Sequence, residues 1–91
     1  MTTKKEIKSL INAVEQAKRE MRFLEMFSDE DGAFADEIDE KKWSDAFTKS
    51  CEAMKALANG IVEFSHGIID YQTALRMAMY RRDDIKALVA A

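Results

Sequence analysis

The chain contains no proline, and its only glycines are Gly32, Gly60 and Gly67. Because proline and glycine commonly mark the turns between strands, their scarcity favours long helices over a β-sheet. The sequence also lacks the run of about 18 apolar residues that a membrane-spanning helix requires. With 91 residues the chain is too short for two ordinary domains, so we expect a single domain over residues 1–91.

Cysteine and histidine each occur once, as Cys51 and His66. A single cysteine forms no intramolecular disulfide and no thiolate metal cluster, which fits a reducing compartment. The first residues include bases but no continuous apolar stretch of the kind found in secretory signals. We therefore expect a cytoplasmic protein. His66 could pair formally with Cys51 or Ser65, but any chain with one histidine offers such pairings, so they do not indicate catalysis.

Other signatures of enzymes and cofactor sites are also missing. No two glycines lie close enough together for a phosphate- or dinucleotide-binding loop. A helical chain of this length leaves little room for the usual concave active site. If Gly32 is aligned with the glycine of an EF-hand loop, Phe27 and Ile38 occupy two positions that require oxygen ligands. We expect no enzyme activity, no cofactor and no metal site.

Apolar residues recur at spacings of three and four, which is the period of an amphipathic helix. Thr3 and Glu6 match a capping box at the start of the first helix. The first apolar stripe consists of Ile7, Leu10, Ile11, Val14, Ala17, Met21 and Leu24. The second consists of Trp43, Phe47, Ser50, Cys51, Met54, Leu57 and Ala58. We predict an acidic loop, a C-cap at Asn59-Gly60, and three helices; the helices span about 4–27, 41–59 and 61–88, and the loop spans 28–40.

Residues 61–71 allow two interpretations. Their β-branched and aromatic content is typical of a short hairpin, whereas their spacing of three and four favours a helix that can break at Gly60 or Gly67. Small residues also recur every seven positions, which allows another helix to approach closely; they are Ala46, Ala53, Gly60, Gly67 and Ala74. We predict an all-α fold: a small antiparallel bundle of about three helices, with one long helix or a short hairpin near 61–71.

Charge is distributed unevenly along the chain. The formal net charge is −3, yet residues 29–40 hold seven acids and no base, and the rest is slightly basic. The chain therefore lacks the basic excess of a typical nucleic-acid binder. The acidic stretch is also too short to mimic nucleic acid over a whole surface. It either keeps the protein soluble or attracts a basic partner.

Large apolar residues flank or interrupt the acidic stretch: Phe23, Met26, Phe27, Phe34, Ile38 and Trp43. One helical stripe cannot bury all of them, so they either cap the end of the bundle or form a surface rimmed by carboxylates. The second arrangement is typical of a protein-binding hot spot, in which apolar anchors supply affinity and charges steer the partner. The predicted protein-binding residues are Asp29, Glu30, Asp31, Phe34, Asp36, Glu37, Asp39, Glu40 and Trp43.

These patterns favour a non-catalytic inhibitor or adaptor that occludes a basic, nucleic-acid-binding surface of another protein. Short, acidic, proline-free chains of this kind resemble the small inhibitors of phages and mobile elements, anti-CRISPR proteins among them; the resemblance is one of size and charge. One alternative is a homodimeric structural or assembly subunit that uses the small-residue face. Another is a nucleic-acid-binding protein, with the bases Lys41, Lys42, Arg76, Arg81, Arg82 and Lys86. We expect neither a membrane nor direct nucleic acid as partner.

Overall fold

The first helix, α1 (Lys4–Glu25), begins where the sequence predicts a helix start. In the computed structural model, which describes residues 2–28 and 37–90, the Thr3 hydroxyl accepts a hydrogen bond from the Glu6 amide at 3.2 Å. This contact confirms Thr3 as the N-cap. The buried residues of α1 all belong to the predicted stripe: Ile7, Ile11, Val14 and Ala17. The helix ends before the predicted residue 27, because the Phe27 amide bonds to Leu24 in a tighter turn.

The second helix, α2 (Glu37–Phe64), differs from its predicted bounds at both ends. It begins before residue 41, because acids such as Glu37 and Asp39 in its first turn complement the positive end of the helix dipole. The predicted C-cap at Asn59-Gly60 is wrong, since the helix continues through both residues. Gly60 is buried against α1, and this packing outweighs the roughly 1 kcal/mol that glycine costs within a helix.

Where α2 does end, His66 and Gly67 close it with a Schellman motif. Both adopt positive φ angles, 56° and 80°. The Gly67 amide bonds to the Val62 carbonyl at 2.9 Å, and the His66 amide bonds to the Glu63 carbonyl at 3.1 Å. Residues 61–71 thus contain a helix end and a turn, and neither the predicted hairpin nor one continuous helix forms there.

The predicted final helix over 61–88 is divided further, into α3 (Tyr71–Tyr80) and α4 (Arg82–Ala90). The break falls at Arg81, whose φ of −132° and ψ of 44° leave the helical region. The Arg82 guanidinium donates to the carbonyls of Ala78 and Met79 at 2.9 and 3.1 Å. These bonds satisfy carbonyls that the end of α3 leaves without helical partners.

Within the described residues the protein has four helices and no strand, so the all-α class is confirmed. Thr2 at the start of α1 donates from its amide to Glu63 near the end of α2, at 2.7 Å, and these two helices run antiparallel. α3 packs on α2, and α4 packs on α3 and α1. The buried core comprises Ile7, Ile11, Val14, Leu57, Ala58, Ile61, Ala74, Ala78, Ile85 and Val89.

The core occupies only one half of an elongated molecule, which measures 46 × 21 × 20 Å. None of the core residues belongs to the other end of the α1–α2 pair, which we call the distal end and define as residues 20–28 and 37–49. At the distal end and its border, small side chains are buried: Ala17, Ala46 and Ser50. None of the described helices is both long and apolar enough to cross a membrane.

Candidate protein-binding surface

The distal end carries every predicted binding residue that the structure describes. Glu37, Asp39, Glu40 and Trp43 lie in the first two turns of α2. The remaining predicted residues lie outside the described part of the chain: Asp29, Glu30, Asp31, Phe34 and Asp36. The site can therefore be built from the α2 residues and from whatever packs beside them.

Trp43 and Phe47 continue the apolar stripe of α2 beyond the point where α3 covers it. The stripe runs from Ile61 through Met54 to these two rings, at spacings that keep one helix face. Ile61 is fully buried, whereas Phe47 keeps 47% of its surface exposed. The reason is the length of α3: its ten residues extend only about 15 Å, roughly a third of the length of the 28-residue α2.

The two rings pack against each other as a stacked pair. The Trp43 indole stacks on the Phe47 ring with centroids 5.5 Å apart and planes inclined by 17°. The Trp43 Nε1–H donates to the Glu25 carboxylate of α1 at 3.3 Å, which ties the indole to the neighbouring helix. A fixed aromatic pair loses little conformational entropy on binding, as is typical of interface anchors. We call Trp43 and Phe47 the aromatic pair.

Carboxylates rim the aromatic pair on two sides. Asp39 and Glu40 precede Trp43 by four and three residues, which places them one helical turn away on the same side of α2. Glu37 lies in the same first turn, and Glu25 approaches from α1. Carboxylates thus lie one helical turn from the aromatic pair, an arrangement that favours contact with positively charged groups of a partner.

The end of α1 exposes further apolar side chains. Phe23 and Phe27 meet edge to face, with centroids 5.5 Å apart, and they remain 61% and 53% exposed. Met26 and Ile38 are exposed as well. The sequence allows these residues either to cap the end of the bundle or to form an exposed surface. Within the described part of the chain these four side chains are exposed, so they do not form a buried cap.

A groove of about 310 Å³ separates α1 from α2 on the face that α3 does not cover. Phe23, Leu24 and Ala46 form its apolar part. Its charged residues are of both signs: Glu20, Lys42, Asp45 and Lys49. This groove has no net acidic character, and it differs in that respect from the surface around the aromatic pair.

The residues considered for nucleophilic chemistry lie apart or are otherwise engaged. Cys51 sits in the middle of α2 and His66 follows its last residue, so the rise of the helix separates them by about 20 Å. The Ser65 hydroxyl donates to the Val62 carbonyl at 3.2 Å and accepts from the Ile69 amide at 3.0 Å. Among the residues described, no three His, Cys, Asp or Glu side chains cluster in a way that could hold a metal.

Sequence reasoning missed two members of this surface. Phe47 belongs to the second predicted apolar stripe, and such a stripe predicts burial. Glu25 gave no signal, since its contact with Trp43 joins residues of different helices. The spacing of four between Trp43 and Phe47 is the one feature of the sequence that could have identified the aromatic pair.

No protein family model, curated protein or solved structure matches this chain.

Proposed function

We propose that this protein is a non-catalytic interaction module, an inhibitor or adaptor that binds a basic surface of a partner protein through the aromatic pair. The observation that carries the proposal is the exposed ring of Phe47, stacked on the half-buried Trp43, with the carboxylates of Glu37, Asp39 and Glu40 in the preceding turns of α2. In this proposal the packed helices act as an antiparallel bundle that presents the start of α2.

The apolar and the charged residues contribute in different ways. Full burial of a phenylalanine side chain stabilises a complex by about 1.5–3 kcal/mol, so covering the exposed half of Phe47 contributes about 1 kcal/mol. Trp43, already held by Glu25, adds a second anchor with little ordering cost. The carboxylates mainly accelerate association with a basic partner, and this effect weakens as salt rises.

A cytoplasmic target that itself binds nucleic acid is the partner class that fits best, because its surface is basic. An acidic module seated there would compete with the nucleic acid for the same positive charges. This mode of action is that of the small inhibitors of phages and mobile elements, which the chain resembles in size and charge.

The test is affinity capture from the native host, with the wild-type protein and single-substitution variants used as baits. We expect the wild type to capture a specific partner, and the Trp43→Ala and Phe47→Ala baits to capture several-fold less of it. Ile68→Ala is the matched control, because Ile68 is 88% exposed and lies beyond the other end of α2. Helicity should be unchanged in all three variants.

A second set of variants separates charge from apolar contact. Glu37→Lys, Asp39→Lys and Glu40→Lys together should slow association and change its salt dependence, whereas Glu52→Lys, on an exposed position later in α2, should not. The proposal fails if the partner is captured equally well by the wild type and by the Trp43→Ala and Phe47→Ala baits.

The homodimeric alternative predicts that a second copy covers the aromatic pair. The predicted small-residue face does not serve this role in the described fold, because Gly60 packs against Ile7 and Leu10 of the same chain. Light scattering distinguishes the alternatives: a monomer of 10.4 kDa favours the interaction module, and twice that mass, lost on Phe47→Ala, favours the dimer.

A further inference from the structure

Basic side chains of two helices meet around a cavity between the end of α1 and the start of α4. Lys18, Arg19 and Arg22 of α1 and Arg82 of α4, together with Glu15, line a volume of about 250 Å³. Lys18, Arg19 and Arg22 lie outside the apolar stripe of α1. Their convergence with Arg82 depends on the turn at residue 81, which brings α4 onto α1.

The only acidic residue lining this cavity is already engaged. Lys86 Nζ lies 2.7 Å from Glu15 Oε1, and this contact is the main reason that the pKa of Glu15 is lowered. Within residues 2–28 and 37–90 no ion pair joins Arg19 or Arg22 to a carboxylate. The cavity therefore has a clear excess of positive charge.

Carbonyls at the end of α3 accept hydrogen bonds from Lys18 and Arg82, but they leave an N–H group of Arg82 without an acceptor. Lys18 Nζ donates to the Met79 carbonyl at 3.4 Å, and one terminal nitrogen of Arg82 donates to the last turn of α3. The Arg82 Nε–H is buried and has no hydrogen-bond acceptor in the described structure. Glu15 Oε1 is 4.0 Å from that nitrogen, too far for a hydrogen bond.

Like charges repel one another in this cluster. Burial lowers the pKa of Lys18, and the nearby Arg82 and Arg22 lower it further. A bound anion would reverse the second effect, because an opposite charge favours the protonated lysine. The cavity is smaller than the roughly 300–1,000 Å³ of ordinary ligand pockets, which favours a small anion.

We propose that Lys18, Arg19, Arg22 and Arg82 form a binding site for a compact oxyanion of the phosphate class. Guanidinium groups present paired N–H donors that match phosphate oxygens, and three of these four residues are arginines. None of its residues belongs to the aromatic pair, so this proposal can be tested independently of the proposed function.

The test is a titration of the full chain with inorganic phosphate, followed by amide chemical shifts, against sodium chloride at matched ionic strength. We expect saturable shifts near residues 15–22 and 82 that chloride does not produce. Arg22→Ala should weaken phosphate about tenfold, the effect of one lost charge-assisted hydrogen bond. Lys55→Ala removes the same charge from an exposed position on α2 and should leave the affinity unchanged.

A parallel titration with glycerol phosphate identifies the source of the anion. If the ester binds more tightly, the site is assigned to a phosphate group on a small molecule. If inorganic phosphate binds more tightly, the site is assigned to the free ion. Either result supports the presence of the site. Shifts that do not saturate, equal shifts with chloride, or equal weakening by Arg22→Ala and Lys55→Ala would overturn it. Unchanged affinity in a folded Arg22→Ala variant would overturn it as well.

Discussion

Gly60 provides the most direct measure of how closely α1 and α2 approach each other. If alanine replaces it, the added methyl lies 3.0 Å from Leu10 Cδ1 and 3.2 Å from Ile7 Cδ1. Both distances are shorter than the optimum of about 3.5–4.0 Å between carbon atoms. Leu10 is half-buried and can yield, whereas Ile7 is fully buried and cannot easily move.

Two effects of opposite sign decide the result. Replacing glycine by alanine within a helix stabilises it by about 1 kcal/mol. Overpacking a core costs about 1–3 kcal/mol, and the flexible Leu10 places this site toward the low end. We expect Gly60→Ala to lower the free energy of unfolding by about 0–1 kcal/mol, although helix propensity alone predicts an increase.

Urea unfolding followed by circular dichroism measures this free energy. Asn59→Ala is the matched control, because Asn59 is the exposed neighbour of Gly60 and should show only the propensity gain of about 0.5 kcal/mol. Leu10→Ala removes the nearest methyl, so the Leu10→Ala/Gly60→Ala double variant should recover about 1 kcal/mol of coupling. A Gly60→Ala protein that is about 1 kcal/mol more stable than the wild type would refute the close approach.

Two further predictions concern single side chains. His66 adopts a left-handed φ of 56°, which costs a non-glycine residue about 1–2 kcal/mol, so His66→Gly should raise the urea midpoint; an unchanged midpoint would contradict the cap geometry. The pKa of Glu15 is lowered, chiefly by its hydrogen bond with Lys86. Its carboxylate therefore stabilises the fold at pH values above the usual pKa of 4.5, and this stabilisation is lost as the pH falls through the lower pKa of the folded state. Glu15→Gln should therefore be less stable at pH 7 by under about 1 kcal/mol, with the difference vanishing in acid, and a constant difference across the pH series would contradict the ion pair.

The helical class and the first helix could be predicted because their signals are local. The period of α1 and the Thr3 cap need no knowledge of the rest of the chain. The bounds of α2 could not be predicted, since Gly60 remains helical only by virtue of its packing against α1. The break at Arg81 does have a local signal, since Asp83 and Asp84 are acids of the kind that favour the first turn of a new helix. The carbonyls that Arg82 reaches are local as well, three and four residues earlier in the chain.

The candidate surface shows the same division. Trp43 and the acids around it could be predicted from composition, since charged and aromatic residues are close together in the sequence there. Phe47 could not, because its exposure follows from the length of α3. A helix over 61–88 would have extended about 40 Å, long enough to cover both rings. The predicted helix over 61–88 is longer than α3, and for this reason the exposure of Phe47 could not be predicted.

The confinement of the core to one half of the molecule divides the chain into positions with different tolerance to substitution. The ten core residues that hold the helices together all lie outside the distal end. At the distal end Phe23, Met26, Ile38 and Phe47 are largely exposed, so replacing them removes little buried contact. The distal surface can therefore change in sequence while the fold is retained.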